Sequence, residues 1–494
     1  MEREGTEGVV FPLSADGRRS TSALGRAVVA DALRPVDAAG ALGAEQETNW
    51  RSGYLVHFRR LVEAGLASKA AAVSIARDGL GSLHARMRVS GTGGQETGLD
   101  ALLSAPARSS FATLSISGAA QPETELSLPY RGEHLRGEAL VRRLEGWVSG
   151  GIIEPSCAEA VREVAAHPEW LPVPGRTVVA LGAGAEVGPV EVLLRWGARV
   201  AAVNLPGLET WERLLNMARH GAGTLLVPAA APVSPGDGDE AVARQAGLDL
   251  VREVPAAADW LAGLDGPLVL GNYVYADGAA NMAVCAAADA LTARLQAARS
   301  DLALAFLATP TDVYAVPGEA VAASVRAYAS RPRAAKLAVR LLRALSGGRL
   351  LRRAYVPGAD PGICDSLVPQ QGPNYALAKR LQRWRATVAR ETGTTVSLHI
   401  APPTRTRSVV KNRALAAAYA GAHRFGAEVF EPATTRALMA ALLVHDLHAP
   451  RPPQAHPWQD EAYAAAHGGL WRIPYAPRSA LGLAALLGYG AARP

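Results

Sequence analysis

RTVVALGAGAEVGPVEVLLRWGARVAAVN, residues 176–204, reads strand, glycine turn, helix, strand. Residues 177–181 are an apolar run of buried-strand length, and Gly182, Gly184 and Gly188 follow at once. Residues 189–196 continue as an amphipathic helix, which Gly197 stops before a second apolar run at 198–203. This is the opening unit of a nucleotide-binding sheet. A tight glycine turn lets backbone N–H groups approach a pyrophosphate without Cβ atoms in the way. A second reading fits the same letters: a buried crossover that is glycine-rich because the chain carries 49 glycines.

Outward from this unit, composition sets the bounds. A chain of 494 residues, 49% apolar and 19% charged, buries a large core and is expected to hold more than one domain. The first residues are acidic and polar, without the basic and apolar regions of a secretory signal. No uninterrupted apolar run reaches the length of a transmembrane helix. Cys157, Cys285 and Cys364 are too few and too scattered for a disulfide framework or a zinc site. The expected setting is cytoplasmic. The net charge of +6 comes from a pool of 51 Lys plus Arg in which only four are Lys, and gives no nucleic-acid signal. Residues 331–353 concentrate cations without an acid. They fit either a solvated helix face or a docking surface for a carrier protein, a CoA ester or an anionic membrane.

Along the chain, residues 1–50 show little periodicity and read as a loosely ordered lead-in. Residues 51–174 read as an α+β accessory region, with a helix to 77, short strands at 85–89, 111–116 and 125–129, and helices near 134–149 and 156–166. From 175 to 450, strand candidates at 224–228, 248–251, 268–274, 302–308, 350–356 and 395–401 alternate with helix candidates at 208–219, 282–298, 318–328, 332–346, 376–391 and 432–444. Such alternation specifies an α/β fold with a doubly wound parallel sheet. Residues 451–494, rich in Pro, His and Ala, are expected to wrap the surface or to form a homo-oligomer contact. His445, His448 and His456 match no closed zinc spacing.

Tyr375 and Lys379 stand four apart at the start of a helix, hence on one face. The helix is followed by a turn at Glu391-Thr-Gly393, the 395–401 strand and Pro402-Pro403. This order, with the glycine turn, resembles the short-chain dehydrogenase/reductase family over roughly residues 175–450. The resemblance implies a Rossmann-like cofactor domain and a carbonyl or alcohol redox step on a small-molecule or carrier-bound substrate. It also implies Tyr375 as acid/base, Lys379 as the group that lowers its pKa and holds the nicotinamide ribose, and Ser366 as the hydroxyl that polarises the carbonyl. Departures are visible. Glu186 stands where the family has its middle glycine, Ser366 lies nine residues before the tyrosine, and Tyr275-Ala-Asp277-Gly278 replaces an asparagine signature. Tyr375 and Lys379 also fit a plain helix-start pair.

The end of the second strand bears on the cofactor. Asn204 stands where NAD sites carry a carboxylate for the ribose hydroxyls, so NADP is expected over NAD, with Arg213 the nearest cation downstream. Asp277 and Thr309, each just past a buried strand, are placed to line the same crevice with Gly182, Gly184, Glu186 and Gly188. A methyltransferase using S-adenosylmethionine is a rival reading, but its two expected carboxylates are replaced by Ala180 and Asn204. A non-catalytic binding module on the same sheet is the third.

Overall fold

The computed structural model describes residues 7–14, 17–91, 93–233 and 238–490. Seven strands form the central sheet: β1 (Ala112–Ser117), β2 (Thr177–Leu181), β3 (Arg199–Val203), β4 (Thr224–Ala229), β5 (Leu268–Asn272), β6 (Ala303–Ala308) and β7 (Val396–Ile400). Their spatial order is β7-β6-β5-β2-β3-β4-β1. β2 to β7 run parallel, and β1 closes one edge antiparallel to β4. Counted from β2, the parallel strands stand in the doubly wound order 3-2-1-4-5-6, so the winding reverses between β2 and β5. The fold is a Rossmann-like α/β fold.

Strand side chains alternate between two cores. Val179, Leu181, Ala201, Val203, Leu268, Leu270, Leu304 and Phe306 face one helical layer; Val178, Ala180, Val200, Ala202, Val269, Ala303 and Ala305 face the other. The first layer begins with α1 (Thr21–Leu33), α2 (Ala38–Gln46), α3 (Trp50–Gly65) and α4 (Lys69–Arg86). After the short α5 (Val190–Arg195), it continues with α6 (Gly278–Ala298). The basic α7 (Arg333–Leu345) and then α8 (Gly372–Glu391) follow in the chain, and α8 joins this layer. Last come α9 (Arg413–Gly421), α10 (Pro432–His448) and α11 (Pro477–Gly488), of which α10 belongs to the second layer.

Several expectations are corrected here. Residues 17–50 are no loose lead-in: α1 and α2 start at side-chain caps, Ser20 accepting from Ala23 N–H and Asp37 from Gly40 N–H, while residues 1–6, 15 and 16 of that stretch lie outside the described residues. α1 buries Leu24, Val28, Val29 and Leu33, and the Gly25 position lets the Trp50 indole approach where a Cβ would lie 2.6 Å from its nitrogen. The stretch before 175 is no separate accessory unit, because it supplies helices to both faces and the edge strand β1. That strand explains a third difference. With β1 on the outer edge of β4, the apolar run at 248–251 finds no free edge; Leu248 and Leu250 pack into the core, and Val251 accepts from Val9 N–H. Residues 350–356 form no strand; they are held by the Arg353–Tyr475 bridge, by the bonds of Leu351 and Arg352 to Ser479, and by the Tyr355 hydroxyl donating to Trp471 O. Residues 451–494 hold Ala464, Ala465, Ala466 and Trp471 fully buried, so they complete the core rather than wrap it.

Candidate functional site

The carboxyl ends of β2, β5 and β6 meet at the winding reversal, where open α/β sheets bind ligands. The 182–188 loop enters there. Gly182 has φ +78°, and a Cβ on it would lie 2.9 Å from Val274 Cα, so glycine is demanded by the neighbouring strand end. Gly182 and Ala183 N–H both donate to Val203 O. Gly184 N–H donates to the Asn204 side chain (3.2 Å), and Arg213 donates to Gly184 O (3.0 Å). Asn204 and Arg213 therefore fix the loop from its two sides. Gly188 N–H donates to Ala185 O. Glu186 turns away from the loop and accepts from Arg407 N–H at 2.8 Å, clasping the segment after β7. Two part-exposed backbone N–H groups of the loop, Glu186 and Val187, have no acceptor among the described residues. The helix behind them, α5, has only six residues, so its dipole is short.

Tyr375 sits in the first turn of α8, over the end of β6. The side chain of Thr309, the first residue past that strand, lies near enough to the Tyr375 hydroxyl to lower the phenol's pKa, and the Tyr275 ring stands edge-on at 6.4 Å. Burial pushes the phenol up to about 12, with Thr309 offsetting part of the rise. Lys379, one turn on, donates to Leu307 O (3.1 Å) and Gln382 (3.2 Å), and burial lowers its pKa. Gln382 in turn donates to Asn272 at the end of β5 (3.2 Å). No hydrogen bond joins Tyr375 to Lys379 among the described residues. The expected downward pull of the ammonium on the phenol is thus replaced by an upward push from burial.

Ser366 stands elsewhere. It follows a short strand, Gly362–Asp365, and its hydroxyl lies 2.7 Å from Pro310 O and 2.8 Å from Asp312 O, which it serves as donor. The hydroxyl beside the tyrosine is that of Thr309, itself 2.8 Å from the Thr311 hydroxyl, which donates to Gln371. Asp277 accepts from the Tyr275 hydroxyl (3.1 Å), and Tyr275 also contacts Ser408. Thr311 belongs to the Thr309–Asp312 segment that the sequence places in the crevice; Tyr275 had the same signal, three residues past β5, whereas Ser408 lies eight residues past β7 in a short helix, where no local signal marks it. Behind Thr311 and Ser366 opens a small apolar cleft of about 70 Å³, lined by Val368, Tyr419, Phe425 and Leu481 among others. The floor is rigid: Asp312 takes charge-assisted bonds from Arg380 (2.6 Å) and Arg383 (2.7 Å), and Arg383 also grips Glu461.

No family model matches this chain, and no curated protein matches it. Among solved structures, it is similar to the terminal R domain from the myxalamid PKS-NRPS biosynthetic pathway. The identity is 15%, over 62% of this chain and 68% of that one, with a TM-score of 0.28. A likeness at that level carries no argument about the site.

Proposed function

We propose that the chain is an oxidoreductase of the short-chain dehydrogenase type that reduces a carbonyl on an apolar or carrier-bound substrate. The observation that carries this reading is the placement of Tyr375, in the first turn of α8, beside Thr309, the first residue past β6, at the winding reversal. A protonated phenol and a second hydroxyl converge there on a spot bordered by the apolar cleft. Tyr375 donates a proton to the carbonyl oxygen, Thr309 orients it, and the cleft takes the apolar body of the substrate. A phenol held near 12 is an acid at neutral pH and a poor base, which favours reduction over alcohol oxidation. Ser366 has no part in this reading, because its hydroxyl is already committed to two carbonyls.

A nicotinamide dinucleotide, when bound, supplies the hydride. The residues that fit it are the Glu186 and Val187 N–H groups for the pyrophosphate and Lys379 for the nicotinamide ribose. Asn204 offers no carboxylate against a 2′-phosphate, so NADP(H) is the preferred form. Calorimetry with NADPH, NADH and S-adenosylmethionine tests this directly. Binding of NADPH alone or most tightly supports the reading, and binding of S-adenosylmethionine alone overturns it. A second reading, a non-catalytic binding module, is favoured by one observation: most N–H groups of the glycine loop are already spent inside the protein.

A further inference from the structure

Three stretches of the chain, 320–359, 401–427 and 462–494, carry nine, five and three Arg or Lys and not one Asp or Glu. The fold brings the helices of these stretches, α7, α9 and α11, into one lobe. α7 packs through Val339 and Leu342 on Leu351, Phe425, Tyr475, Ala480 and Leu483. α9 and α11 cross so closely that a Cβ on Gly421 would lie 2.0 Å from Ala484 O, and one on Gly488 2.1 Å from Ala417 O. Arg478 and Arg472 are met by acids from outside these stretches, Asp365 and Glu154, and the remaining cations leave the lobe with a positive excess.

On this lobe α7 is turned with an apolar face outward. Leu337, Leu341 and Leu345 repeat every four residues and are 59%, 57% and 86% exposed. Ala334, Ala338 and Ala344 fill the same face and are exposed too. At 3.6 residues per turn, Arg333, Lys336, Arg340 and Arg343 fall on one flank of this face. No carboxylate pairs with Arg333, Lys336 or Arg340 among the described residues. The end of α11 adds Leu486, Leu487 and Tyr489, all more than half exposed. A soluble surface has no use for a leucine ridge of this kind.

We propose that this lobe docks on an anionic lipid surface, with the leucines of α7 seated at the headgroup–acyl boundary and the cationic flank on the headgroups. The amphipathic pattern is that of a helix lying in the interface plane, and no helix of the described residues is long and apolar enough to cross a membrane. A second copy is the poorer occupant, since pairing two such faces brings cation against cation. An acidic protein is also poorer, because leucines are under-represented among the residues that anchor protein–protein contacts.

The test is co-sedimentation of the full chain with vesicles of equal parts phosphatidylglycerol and phosphatidylcholine, against phosphatidylcholine alone. Pelleting with the anionic vesicles, weakening as salt is raised, is the expected result. A combined Leu337→Gln, Leu341→Gln, Leu345→Gln variant removes only exposed side chains, so its circular dichroism should match wild type while its partitioning falls on the order of 100-fold. Arg333→Ala with Arg340→Ala should weaken partitioning roughly 10-fold or more at low salt. Absence of pelleting with anionic vesicles overturns the proposal, as does equal pelleting with neutral ones or full binding by the triple leucine variant. A concentration-dependent dimer that the same variant abolishes, without vesicle binding, assigns the ridge to a second copy and overturns it too.

Discussion

Tyr375 is held as an acid by its surroundings rather than by a charged partner. Replacing it with Phe removes one oxygen, so the fold should survive, while carbonyl reduction should fall by about 10²–10⁴-fold. Turnover at the wild-type level in Tyr375→Phe would dismiss the reaction proposed above. Because burial keeps the phenol protonated up to about 12, the rate of reduction should stay level through neutral pH and decline only in strong alkali. A pH–rate profile that breaks near neutrality would place the proton on another group. Thr309→Val should lower kcat with little change in substrate binding, whereas Ser366→Ala should leave the chemistry alone and cost only stability. At this scale the sequence was legible for residue types and not for their partners. Tyr375, Lys379 and Thr309 could be named because each stands at a strand end or helix start. The diversion of Lys379 to Leu307 O, and of Ser366 to Pro310 and Asp312, depends on backbone carbonyls brought from distant positions, which no local spacing encodes.

Where elements meet, the structure stakes its stability on buried ion pairs. Asp312 stands between Arg380 and Arg383, all three nearly inaccessible. Asp312→Asn leaves two buried guanidinium groups short of charge and should cost about 3–5 kcal/mol, read as a fall in the denaturation midpoint. At the joint of α4, α6 and α8, His84 bonds Asp289 at 2.7 Å, and Arg385 grips the same carboxylate. Burial lowers the imidazole pKa, but Asp289 more than offsets it, so the folded value lies above the ordinary 6.5. Its contribution is therefore complete below that value and fades as pH rises through the folded pKa. Asp289 is shifted the other way: burial opposes, but Arg385 and His84 hold it well below 3.8, so its contribution is lost on acidification. Thermal stability should peak between roughly pH 4 and 6.5 from this joint. His84→Gln should flatten the alkaline side of that peak in a melting-temperature profile. Elements with strong apolar runs, β2 to β7 and α8, were legible in advance, with ends correct to a few residues. α2 was not, because a helix that buries only Ala41 and Ala44 has almost no periodic contrast to read.

Across the whole molecule, the described residues before 91 and after 450 close on the sheet between them. His456 contacts Gly65 O, and His467 and Arg472 meet around Glu154. Limited proteolysis near residue 175 should therefore release no stable 175–450 fragment; recovery of a folded fragment with those bounds would contradict the shared core. Sequence alone placed a boundary there because the regular alternation of strands and helices begins at 175, and it could not show that the helices before the boundary cover the strands beyond it.

The packing of α1, α3 and α4 on α8 has a consequence for the newborn chain. The four N-terminal helices leave the ribosome with their apolar face complete, yet the helix that covers it ends at Glu391. At translation rates of about 5–20 residues per second, the interval between Arg86 and Glu391 is roughly 15–60 s. Through that interval the four helices have one another, and later α6, but the face that α8 covers stays open, which would make it a natural target for a chaperone waiting near the exit tunnel.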